Sequence, residues 1–234
     1  MSSSRTNRRK QSSVVAGRRG PSTGFIVGTV VVVVFALLVG FMVYHTQRQV
    51  NGPASIPPNA TAAGVPIGRD NAPATIDIYL DFQCPVCREY EAQVGPTVDS
   101  LIANGSAKVI YHPLAFLDRM SQDNYSTRAS SAAGCAAADK VFPGYAKALY
   151  ANQPQEGGPG LPESQLIALG QKAGASSNFG ECVKGNTYNK WAAKLTDQAS
   201  VDGINGTPTV KVNGKQIDNT EAALRQAVTA AGGK

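Results

Sequence analysis

Two cysteines stand three positions apart in Asp81-Phe82-Gln83-Cys84-Pro85-Val86-Cys87-Arg88-Glu89-Tyr90, where a β-branched, apolar run gives way to an amphipathic pattern. A thiol pair at this spacing can cycle between dithiol and disulfide if one sulfur is reactive and the other is held behind it. Pro85 suits the first turn of a helix, where its missing N–H costs nothing, so Cys84 falls at the helix start and Cys87 one turn on. Unpaired amides and the helix dipole favour an anion at that end. The expectation is an exposed, acidic nucleophile at Cys84 and a more buried, less acidic resolving thiol at Cys87.

Two plainer uses of the pair are weaker. Half of a structural zinc site would need two more ligands, and no second Cys-x-x-Cys or His-x-x-x-His occurs. A simple staple across two residues closes too short a loop to stabilise much. No metal and no other cofactor is expected.

The elements that must position these sulfurs can be read around them. Ala74 to Phe82 alternates as a strand, with Ile76, Ile78 and Leu80 on one face and Asp77, Tyr79 and Asp81 on the other. A helix runs from Pro85 to about Ala103, interrupted or kinked at Gly95-Pro96. Lys108 to Leu114 is a second strand, whose His112, beside Pro113, reads as a hydrogen-bonded structural residue. From Phe116 to Val201 the pattern is almost entirely helical, with a small-residue run from Ser130 to Ala138 and a break at Gly157-Gly158-Pro159-Gly160. Thr209 to Val212, the Asn213-Gly214 dipeptide and Lys215 to Ile217 form a hairpin. Thr220 to Ala231 is a closing helix capped by Asn219 or Thr220.

The chain of 234 residues carries a net charge of +6. Six basic residues, Arg5, Arg8, Arg9, Lys10, Arg18 and Arg19, precede a charge-free stretch from Gly24 to Tyr44, which leaves the remainder near neutral and offers no nucleic-acid surface. As a helix that stretch would span about 31 Å, the thickness of a bilayer core. A cleaved signal peptide has a shorter apolar region and a small-x-small site, whereas His45-Thr46-Gln47-Arg48 follows here. The arginines place the N-terminus in the cytoplasm and the rest outside, in contact with the lipid bilayer through residues 24–44. The expected organisation is a disordered basic tail (1–23), a transmembrane anchor (24–44), a flexible tether (45–63) and a folded domain (64–232) with a helical insertion at about 116–201.

Strand, helix, strand, helical insertion, hairpin and helix is the order of a thioredoxin-like α/β domain. The Asp81 to Cys87 segment resembles the active-site signature of the DsbA-like branch of the thioredoxin superfamily, and Gly206-Thr207-Pro208-Thr209-Val210 looks like that branch's cis-proline loop. With the anchor and the extra cysteine pair, the chain is most similar to actinobacterial membrane-tethered members. The resemblance implies a cis Thr207–Pro208 peptide beside the dithiol, with Thr207, Pro208, Pro85 and Val86 contacting an extended substrate. It also implies a monomeric enzyme that forms disulfides in exported proteins with free cysteines. Such an enzyme is re-oxidised by a quinone-linked membrane protein of the VKOR or DsbB type. Many relatives carry a buried glutamate six residues before the nucleophile, and that position here is Ile78, so the proton route at Cys87 is open to water or His112. Val86 offers neither charge nor a hydrogen bond to the thiolate, unlike the histidine inside DsbA's own motif, and the expected Cys84 pKa is roughly 4.5–6.5.

Of four cysteines, Cys135 and Cys182 remain once Cys84 and Cys87 pair, and an oxidising compartment would join them. Closing so long a loop stabilises by about 4 kcal/mol in the chain-entropy view. The rival activities are a reductase or isomerase, for example in cytochrome maturation, and a tethered peptide-binding module without redox turnover.

Overall fold

The computed structural model describes residues 28, 31–42 and 54–233. The chain divides into two units, Met1–Gly52 and Pro53–Lys234. In the first, residues 31–42 are helical, with Val31, Phe35 and Leu38 exposed. No helix among the described residues is long and apolar enough to cross a membrane. Residues 24–27, 29–30 and 43–44 of the expected anchor, the tail at 1–23 and residues 45–53 lie outside the described residues.

The second unit has a five-stranded sheet of order β1-β3-β2-β4-β5: β1 (Val65–Ile67), β2 (Ala74–Leu80), β3 (Ala107–Pro113), β4 (Thr209–Val212) and β5 (Lys215–Ile217). β2 and β3 are parallel, joined by the crossover helix α1 (Pro85–Ala103), and the other pairings are antiparallel. As a central strand β2 is covered on both faces, so its side chains from Ile78 to Leu80 are all buried instead of alternating to the end. Helix α1 buries Cys87, Tyr90, Val94, Val98 and Leu101, the spacing of one helical face. It is uninterrupted at Pro96, with buried residues on either side of the proline holding it to the core.

The helical insertion follows β3. It comprises a short 3₁₀ turn (Asp118–Met120), α2 (Tyr125–Ala138), α3 (Phe142–Ala151), α4 (Glu163–Lys172), α5 (Phe179–Lys184) and α6 (Asn189–Val201). Its core is built from large side chains, Trp191, Tyr125, Tyr145, Phe142 and Phe179, set against small ones. A Cβ at Gly170 would sit 2.1 Å from the Phe179 ring, so α4 meets α5 there only through glycine. A disulfide between Cys135 and Cys182, Cα atoms 6.0 Å apart, ties α2 to α5.

The β4–β5 hairpin turns at Asn213 and Gly214, with φ of 48° and 80°, the left-handed pair that a two-residue turn of this twist demands. α7 (Glu221–Ala230) closes the fold, its first turn capped by the Thr220 hydroxyl, which accepts from the Ala223 amide.

One expected boundary is corrected. Residues 54–63, assigned to the tether, are seated on the domain: Trp191 Nε1 donates to the Thr61 carbonyl at 2.8 Å, and the Asn59 amide donates to the carbonyls of Ala137 and Ala138. The composition reads as linker, but these bonds satisfy an indole buried in the insertion and two carbonyls at the end of α2.

Candidate active site

Cys84 is the N-cap of α1 and Pro85 opens its first turn. The Cys87 amide donates to Cys84 Sγ at 3.4 Å, and the Cys84 thiol lies 3.4 Å from the Thr207 carbonyl. Both thiols are free. The Thr207–Pro208 peptide is cis, and its loop is fixed by Asn219, which donates to the Pro208 carbonyl at 2.8 Å, and by the Thr209 hydroxyl, which donates to Gly206. Contrary to the expectation of an exposed nucleophile, Cys84 is only 5% accessible. The Thr207 segment lies against it, and both border a cavity of about 410 Å³ lined by Cys84, Phe116, Leu117, Arg119, Asn205, Gly206 and Thr207. Pro85 and Val86 face solvent beside it. A larger hollow of about 900 Å³ between the β4–β5 hairpin and α7 contains no thiol, and its size is no guide to chemistry.

The two sulfurs differ sharply in acidity. The Cys87 thiol, donating to Cys84, is the largest influence holding Cys84 down to about 6, helped by the Cys87 and Val86 amides and the Thr207 side chain against the opposing effect of burial. Burial, followed by the neighbouring Cys84 sulfur, drives Cys87 far above the usual thiol range. One sulfur is therefore ready as a thiolate near neutral pH while the other holds its proton.

Beneath them lies Asp81, fully buried. Its Oδ1 accepts from the Gln83 amide at 2.9 Å and the Ser126 hydroxyl at 2.7 Å, and its Oδ2 accepts from the Leu117 amide at 2.9 Å. Burial pushes its carboxyl up to about 6, with the Cys84 charge adding to the rise and the three donors opposing it. His112 is engaged elsewhere: its Nε2 pairs with Asp77 at 3.0 Å and its ring stacks on Tyr79 at 4.1 Å. Ile78 packs in the core.

The profile of the family described as Thioredoxin matches residues 60–230. The chain belongs to the thioredoxin family. Among solved structures of that family, oxidised DsbA of Mycobacterium tuberculosis is 30% identical, with a TM-score of 0.64 over 72% of this chain and 92% of that one. Reduced DsbG of the same organism is 31% identical, with a TM-score of 0.62 over 75% of this chain and 86% of its own. This thioredoxin-family chain is DsbA-like. It is also 32% identical to the serine/threonine-protein kinase PknE of M. tuberculosis over 63% of its own length, but spans only 28% of that relative.

Several residues around the thioredoxin-family dithiol carry no motif in the sequence. Gln153, in the loop just past α3, donates to the carbonyls of Phe82 at 3.0 Å and Cys84 at 2.9 Å, the Tyr150 hydroxyl donates to the Asp81 carbonyl, and the Met120 carbonyl accepts from Gln83. Ser126 and Leu117 hold Asp81. All are contributed, or met, by the insertion, so no local pattern marks them.

Asp81 makes a testable contribution to stability. A carboxyl whose pKa is raised on folding stabilises fully below its unfolded value and loses that contribution as pH rises through the folded one. For Asp81 that window runs from 3.8 to about 6, and a rise of this size is worth about 3 kcal/mol. The melting temperature of the reduced, dithiol protein is expected to fall across that window, and Asp81→Asn to flatten most of the slope. Glu91, also raised chiefly by burial, leaves a residual slope of the same sign. At pH below the window the variant is expected to be the weaker protein, since an asparagine NH2 in the place of Oδ2 cannot accept from the Leu117 amide, and an unsatisfied buried amide costs about 1–3 kcal/mol. An unchanged slope in Asp81→Asn would assign the titration to another group.

Proposed function

We propose that this protein is a disulfide-forming thiol:disulfide oxidoreductase acting outside the cytoplasmic membrane, anchored by residues 24–44, with exported proteins bearing free cysteines as substrates. The reaction is an exchange that conserves electrons. A substrate thiolate attacks Cys84 Sγ of the Cys84–Cys87 disulfide; a substrate–Cys84 bond forms, the Cys84–Cys87 bond breaks, and Cys87 leaves with the electron pair and takes a proton. A second substrate thiolate then attacks the substrate sulfur of the mixed disulfide, forming the substrate's disulfide and releasing Cys84 as a thiolate. The substrate is oxidised by two electrons and the dithiol is their store. A quinone-linked membrane oxidant of the VKOR or DsbB type removes them. The backbone of Thr207, next to cis Pro208, is the edge against which an extended substrate pairs, with Pro85 and Val86 alongside.

The observation that carries this reading is the acidity of Cys84. A leaving group held at about 6 stabilises the reduced form and makes the disulfide a better oxidant. The names of the M. tuberculosis relatives, DsbA and a disulfide oxidoreductase DsbG, point the same way. Equilibration with glutathione buffers tests it. A potential between about −270 and −120 mV is expected, the interval between thioredoxin and DsbA, together with oxidation of a reduced dithiol peptide by the oxidised protein. A value at or below that of thioredoxin would favour a reductase and overturn the oxidase assignment.

A further inference from the structure

The cavity beside Cys84 has a one-sided charge. Of its lining residues, Phe116 and Leu117 form an apolar wall, Asn205, Gly206 and Thr207 a neutral one, and Arg119 carries the one charge that remains when Cys84 is in its disulfide. Arg119 is exposed and, among the described residues, forms no ion pair. The acid next to it in sequence does not neutralise it locally: Asp118 turns its carboxylate to α2, accepting from the Thr127 amide at 2.9 Å and the Thr127 hydroxyl at 2.6 Å. The backbone carrying Arg119 is fixed, since the Met120 carbonyl accepts from both Gln83 and the Gly157 amide. An arginine on a fixed turn, lining the same hollow as the reactive sulfur and making no ion pair among the described residues, can bring its donors to whatever enters.

We propose that Arg119 is a specificity-determining residue that reads a carboxylate side chain close to the reacting cysteine of an extended substrate, so that the preferred substrates are cysteine segments flanked by Asp or Glu. This deepens the oxidoreductase reading and rests on it. The chemistry of the partner follows from the lining: an apolar side chain fits against Phe116 and Leu117, and an acidic one pairs with the guanidinium, bidentate if it approaches in plane. An exposed pair of this kind is worth only a few-fold in rate at low salt, and less as salt screens it.

The test uses reduced dithiol peptides identical except for Asp, Asn or Lys two residues from the attacking cysteine, oxidised by the full-length protein at low and high ionic strength. An acidic neighbour raises a peptide thiol's own pKa and slows it, so each rate is divided by the same peptide's rate with a small-molecule disulfide. The corrected kcat/KM is expected to favour Asp over Lys by about five-fold at low salt. That ratio is expected to fall toward one in Arg119→Gln and to invert in Arg119→Glu. A ratio near one in the native protein, or one that survives in both variants, overturns the role of Arg119 while leaving the oxidoreductase reading intact. If the native protein oxidises none of the peptides, the proposed function fails and the preference falls with it.

Discussion

A Cys84→Ser protein is expected to oxidise no dithiol peptide above the uncatalysed background, a loss beyond about 10³-fold. Cys87 cannot take over, because it is 2% accessible and burial holds it as a neutral thiol. Cys87→Ala is expected to behave in the opposite way, accumulating mixed disulfides through Cys84, since the thiol that would displace a bound partner is gone. The same variant reports on the origin of the acidity. The Cys87 thiol is the largest cause of the lowered Cys84 value, so its removal should move the onset of thiolate absorbance upward from about 6. Below that onset the rate of attack on a small disulfide should rise about ten-fold per pH unit and then level off, following the thiolate fraction. Trapping through Cys87 instead of Cys84 would reverse the two roles.

Breaking the Cys135–Cys182 disulfide should have the largest effect on stability. It closes a loop with a sequence separation of 47, and the chain-entropy treatment assigns such a loop about 4 kcal/mol. In a domain of this size that corresponds to a fall in melting temperature on the order of 10 °C. The double variant Cys135→Ala/Cys182→Ala isolates the cross-link from the effect of a stranded thiol. Its dithiol chemistry should survive at temperatures where the variant remains folded. Loss of peptide oxidation in a demonstrably folded double variant would instead give this pair a part in electron transfer.

What could be read from the sequence was what is local. The Pro85 helix start, the Asn213-Gly214 turn and the Thr220 cap are written in neighbouring residues, and the structure builds each from those residues. Asp81 shows where this stops. Strict alternation along β2 puts it on the face opposite Ile78, with no hint that it is sealed. It is buried because Leu117 and Ser126, far along the chain, close over the end of the strand. The low accessibility of Cys84 has a similar origin, since a segment more than a hundred positions later lies against it. At 54–63 the Pro, Ala and Asn content reads as linker, while the groups that hold the segment, Trp191 and the end of α2, lie far along the chain and leave no mark on its own composition.

The Gln153 side chain, on the loop after α3, spans the carbonyls of Phe82 and Cys84, and Ser126 reaches Asp81 from α2 of the same insertion. The insertion is therefore not a module that recombination could exchange freely beneath an unchanged cysteine motif. A chimera that kept Cys84-Pro85-Val86-Cys87 but took its insertion from a relative lacking these two contacts would inherit the letters of the motif without the bonds that hold the backbone leading into it. Asp81, Ser126 and Gln153 therefore travel with the cysteine motif as a linked structural set.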